Sequence, residues 1–166
     1  MRLNRFFPNH NGQLHWISYG IIVFWALWCT FVALSDTVDW LQKAQILPSN
    51  LAFTSQNYGL VAQSLARYQI ENHILTLLLF MIIILFAWTI AIFFIRAAFS
   101  PKQNLERYLQ KCYSAFFLSF CISWFFIIAD EFFIQYAFEH THMNRLSLKF
   151  ISFIVFLLCA PKKEGN

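Results

Sequence analysis

Charged residues are scarce in this chain, 12% of 166 residues, where an ordinary soluble domain carries about 25%. With 59% of the residues hydrophobic, a water-soluble fold has too little polar surface to cover the apolar mass. Glycine and proline are equally sparse, four of each. That excludes a glycine-rich phosphate loop and the broken helices found in many secondary transporters. Neither a Gly-x-Ser-x-Gly elbow nor a His-Glu-x-x-His helix occurs, so the usual hydrolase and metalloprotease mechanisms have no carrier. The four cysteines, Cys29, Cys112, Cys121 and Cys159, make no Cys-x-x-Cys or Cys/His pattern. They read as free thiols that pack as small apolar groups.

What the chain does have is bulk: 21 phenylalanines and six tryptophans. Residues 74–95 are apolar on every face, whereas a membrane β-strand alternates apolar and polar over about ten residues. A barrel is therefore excluded. A bilayer core about 30 Å thick is crossed by roughly 20 helical residues rising about 1.5 Å each. Four segments approach that length, residues 16–34, 74–95, 113–130 and 146–160. The expected fold is all-α, one integral membrane four-helix bundle occupying residues 1–166. Residues 16–34 follow Arg2 and Arg5, but the run starts late, is long for a signal sequence, and has no small-x-small cleavage site before Asp36 and Asp39. An uncleaved span is expected. Lys149 falls inside the fourth segment and is expected to snorkel to the nearer interface.

Lysine and arginine in short connections stay preferentially in the cytoplasm. Arg2 and Arg5 lie at one end of the chain, Lys162 and Lys163 at the other, and Arg96, Lys102, Arg107 and Lys111 surround the second connection. The remaining connections hold Asp36, Asp39, Glu71, Asp130, Glu131 and Glu139 against Lys43, Arg67, Arg145 and Lys149. Both termini are therefore expected inside, with the acid-rich connections outside, as in a bacterial inner membrane. The net charge of +4 is dispersed around apolar runs instead of forming a stripe, so no nucleic-acid partner is expected.

The first outer connection, residues 35–73, contains a turn signal at Pro48-Ser49-Asn50. Beyond it Tyr58, Val61, Leu65 and Tyr68 recur at helical spacing opposite Gln56, Gln63 and Arg67. The pattern predicts a short amphipathic helix that caps the bundle or lies on the outer surface. At Ser100-Pro101-Lys102-Gln103-Asn104 a polar turn ends the second span, because proline lacks the amide donor a helix needs.

Ionisable groups at membrane depth are costly and are the first place to look for a site. Asp130 and Glu131 sit between two apolar runs. As helical neighbours they point about 100° apart and cannot act as a carboxylate pair on one face. His140 and His142, with Glu139, form a compact Glu-His-Thr-His cluster expected on the same side as His73, Asp36 and Asp39. Imidazole and carboxylate suit zinc or copper, but the remaining ligands would come from distant loops, and no metal or other cofactor is assigned. Asp130, Glu131, His140, His142, His73 and Arg67 form the candidate outer polar cluster. Ser119 and Ser123, four apart in the third span, form a small-xxx-small face suited to close helix packing. Trp16, Trp40 and Tyr113 fall at span ends as belt residues, whereas Trp25, Trp28, Trp88 and Trp124 lie deeper.

The chain resembles a family of small four-span bacterial integral membrane proteins with no assigned reaction. The likeness lies in the overall layout and in particular residues: Asp39-Trp40 after the first span, Arg67 and His73 before the second, Glu131-Phe132-Phe133 at the end of the third, and Lys149-Phe150 at the start of the fourth. Ala129 and Asp130 stand where that family has glycines. The resemblance implies a four-span fold and transfers no catalytic residue. The expected function is a non-enzymatic membrane subunit or accessory protein, with the lipid bilayer and other integral membrane subunits as partners. The alternative is a small transporter or ion- or metal-handling protein using the outer polar cluster.

Overall fold

Where side chains are apolar on all sides, the backbone must satisfy its own hydrogen bonds, and an α-helix does this within one segment. The computed structural model describes residues 10–100, 104–129 and 139–160. These form five helices: α1 (His10–Lys43), α2 (Asn57–Arg67), α3 (His73–Ala98), α4 (Leu105–Ala129) and α5 (Glu139–Cys159). No strand occurs among the described residues. Three stretches are long and apolar enough to cross a membrane: Trp16–Lys43, His73–Ala98 and Leu105–Ala129.

α1 is longer than its apolar run. Its 34 residues extend about 51 Å at 1.5 Å per residue, so Asp36 and Asp39 belong to helix where a connection was expected to begin. α2 matches the amphipathic pattern: Tyr58 is buried and Val61 and Leu65 are half-buried, whereas Gln63 and Arg67 are exposed. Tyr68 departs from it, exposed just beyond the helix end.

The helix ends have distinct chemistry. Asn72 caps α3 by accepting the Leu75 N–H at 3.1 Å, and Asn104 caps α4 through the Arg107 N–H at 3.1 Å. α1 and α2 both close in a six-to-one turn, Ile46 N–H to Leu41 C=O and Ile70 N–H to Leu65 C=O. That turn needs a left-handed residue, and glutamine supplies it both times, at Gln45 (φ 61°) and Gln69 (φ 60°). Of the expected polar turn, Pro101, Lys102 and Gln103 lie outside the described residues; α3 ends at Ala98 and α4 begins at Leu105.

α1 packs along α3, α3 along α4, α4 along α5, and α5 returns to α1, while α2 lies across α1 and α3. Neighbours run antiparallel. Trp25 of α1 stacks near Phe94 of α3 (6.4 Å between ring centroids), and later in α1 Trp40 meets the earlier Leu77. Phe116 of α4 meets Phe156 of α5 at 5.7 Å, and the later Phe120 meets the earlier Phe150 at 6.2 Å. Phe94, Phe116 and Phe156 are wholly buried and knit α3, α4 and α5 together. The Phe94–Phe116 pair meets edge to face at 5.3 Å, a geometry aromatic quadrupoles favour. Ala91, Ala97 and Ala115, none of them exposed, keep the helices close. A second cluster of Tyr58, Phe80 and Ile84, with Trp40 against it, lies beneath α2.

Candidate functional site

Two carboxylates three residues apart share one face of a helix, and in α1 that face is turned inward. Asp36 is 3% and Asp39 1% exposed. Such burial is costly unless donors replace the lost water, and α2 provides them. Asp39 Oδ2 accepts the Tyr58 N–H at 2.9 Å and the Ser55 hydroxyl at 3.3 Å. Asp36 Oδ1 accepts the Asn57 side-chain amide at 2.8 Å. Gln56, the residue in the α2 cap position, is left-handed and makes no side-chain capping bond. Asp39 does that work from another helix, bonding the second N–H of α2 and placing negative charge at its positive end.

Tyr58 is the hub of this end. Its ring lies 6.0 Å from those of His73 and Phe80, with the Lys43 ammonium 6.0 Å above it. Burial pushes its phenol above the ordinary range; a hydrogen bond with Thr76 opposes that, and the Asp39 charge adds to it. Trp40 Nε1 donates to the Leu77 carbonyl at 2.9 Å, and Trp88 Nε1 to the Thr37 hydroxyl at 3.1 Å. Each tryptophan pins α1 to α3 through its one polar atom. Beside the clamp is an open depression of about 580 Å³ whose walls include Asp39, Gln42, Lys43, Ser55 and Gln63. Asp39 Oδ2 is already committed to two donors, the Ser55 hydroxyl among them, and the depression also presents amides, further hydroxyls and an ammonium.

A second polar group lies in the helix interior. Lys149, expected to snorkel to the nearer interface, is half-buried between helices. Its Nζ donates to Ser123 Oγ of α4 at 2.7 Å and lies 5.9 Å from the Trp25 ring of α1. Trp25 is nine residues into the Trp16–Lys43 stretch, about 14 Å along the axis. The lysine therefore turns inward because a hydroxyl and an aromatic face meet it there. Ser123 is an acceptor as well as a small residue, and Ser119, one turn away, is fully buried.

The expected outer cluster is only partly placed. Asp130 and Glu131 lie outside the described residues, as do the side chains of His140 and His142, whose backbone falls in the first turn of α5. His73 opens α3 and is exposed, with its ring beside Tyr58. Arg67 closes α2, where its charge complements the negative helix end. Among the described residues no three histidine, cysteine, aspartate or glutamate side chains converge as a metal site. Sequence reasoning placed Asp36 and Asp39 on the same side as the histidine cluster but missed the clamp they make with Ser55 and Asn57. The available signal was the three-residue spacing of the acids together with the polar Ser55-Gln56-Asn57 start of α2. No family model, curated protein or solved structure matches the chain.

Proposed function

We propose that this chain is a non-enzymatic integral membrane protein whose four long helices α1, α3, α4 and α5 form a bundle. In this reading both termini are cytoplasmic and the bundle contributes helix surface to a larger assembly of the bacterial inner membrane. The fourth helix joins through its apolar second half, and α2 closes the outer end. The observation that carries the reading is the width of bulky aromatic surface left uncovered. On α1 Phe24, Trp28 and Phe31 are 50%, 48% and 59% exposed, and on α4 Phe117, Trp124 and Phe125 are 70%, 53% and 54% exposed. In lipid, helix association is driven by van der Waals packing and hydrogen bonds, and large aromatic rings supply contact area with little side-chain entropy to lose. The test is affinity purification in mild detergent followed by mass spectrometry. Stoichiometric integral membrane partners are expected, lost on Trp124→Ala with Phe117→Ala at unchanged protein level. Recovery of the chain alone would overturn the reading.

One observation favours the alternative, a small ion-handling protein: Lys149 is turned into the helix interior and bonded to Ser123. Buried intramembrane ionisable groups accompany ion and proton paths. That reading expects Lys149→Met to abolish ion flux in reconstituted vesicles while the protein stays folded. Flux equal to that of protein-free vesicles in the unaltered protein would reject it.

A further inference from the structure

At the end of the molecule opposite α2, two cations face one recess. Arg96 is in the last turn of α3 and Lys111 is two turns into α4. With Phe93, Gln110 and Ser114 they line a recess of about 190 Å³ in the α3–α4 seam. Its lining contains no acidic residue, so nothing in its walls neutralises the two charges. The Ser114 hydroxyl proton is committed to the Gln110 carbonyl at 2.8 Å, which leaves Ser114 Oγ as an acceptor beside the cations. Phe93 forms the apolar wall of the recess, and further along the same two helices Phe86 and Phe125 meet with rings 5.8 Å apart. Phe86 is seven residues from Phe93, about 10 Å along α3.

We infer that this recess binds the headgroup of an anionic phospholipid of the phosphatidylglycerol type. The phosphodiester lies between Arg96 and Lys111, a headgroup hydroxyl donates to Ser114 Oγ, and an acyl chain follows the α3–α4 seam. The inference rests on the membrane-spanning reading proposed above. It goes beyond the topological role of basic residues, which requires only that they remain on one side. Topology does not require an acid-free pocket in which both charges meet an acceptor and an aromatic wall. Basic pockets between membrane helices are a recurrent solution for anionic headgroups.

The experiment is native mass spectrometry of the full chain in mild detergent, titrated with phosphatidylglycerol or with phosphatidylcholine of the same acyl chains. Preferential retention of phosphatidylglycerol is expected, weakened about tenfold in Arg96→Gln with Lys111→Gln. Ser114→Leu, which fills the recess and keeps both charges, is expected to abolish the preference. Melting in phosphatidylcholine checks that each variant is folded. Equal retention of the two lipids overturns the inference, and so does an equal loss from Arg107→Gln, whose charge is at the same end but outside the recess. Binding of inorganic phosphate alone, with displacement of the lipid, overturns it in favour of a free-anion site. Extraction of the chain from membranes by alkaline carbonate would sink the membrane reading as well, whereas an integral protein without lipid preference sinks only this inference.

Discussion

The two ends of the molecule treat charge in opposite ways. At the α2 end the acids Asp36 and Asp39 are buried and committed to donors from another segment. At the other end Arg96 and Lys111 face an open recess with no acid in its walls. Charges flanking apolar runs look alike in a sequence, yet one set holds the fold together and the other is free to meet something outside it. A buried carboxylate must have its donors inside the chain, because water cannot reach it. A half-exposed cation keeps its water and can exchange it for a ligand.

The sharpest way to break this comparison is Asp39→Ala. It leaves the Tyr58 N–H buried without an acceptor and should cost about 2–3 kcal/mol. Hydrogen exchange would localise the loss to residues 57–67, and unchanged protection there would show that α2 does not depend on its borrowed cap. Asp39→Asn, which retains an acceptor oxygen, should lose less than half as much.

Between the ends, Ser123→Ala removes the acceptor of an inward ammonium and should destabilise by about 1.5–3 kcal/mol. Adding Lys149→Met should recover most of that, because an apolar side chain of similar length leaves no group unpaired. Failure of the second substitution to rescue the first, in detergent melting curves, would show that the pair does not act as a unit.

Gln69→Gly relieves a left-handed non-glycine residue and should stabilise by about 1 kcal/mol, read as a raised melting temperature. Gln45→Gly is expected to behave alike. The smallest effect belongs to the opposite end. Arg96→Gln in phosphatidylcholine should change stability by no more than about 0.5 kcal/mol, since the recess makes no demand on the fold. A loss as large as that of Asp39→Ala would erase the contrast between the ends.

Composition and periodicity reached far into the architecture. The long apolar runs dictated helices, and the Tyr58, Val61, Leu65 spacing marked α2 within a polar connection. The site was far less legible. Asp36 and Asp39 signalled the end of a span, although α1 runs on through both to Lys43. His73 lies beside Tyr58 of the clamp, whereas Arg67 stands at the opposite end of α2.

What the sequence determined by itself was what each segment must do alone: hide a continuous apolar surface, form a helix, or turn. Hydropathy and period are properties of one segment, and they suffice when the partner is simply anything apolar. Only the tertiary structure decided which polar group meets which. Asp39 reaches Tyr58 across 19 residues and Lys149 reaches Ser123 across 26, and no local pattern encodes either meeting. The cost of burying a charge is a sum over partners, so whether Lys149 turns inward or snorkels depends on what the neighbouring helices present to it.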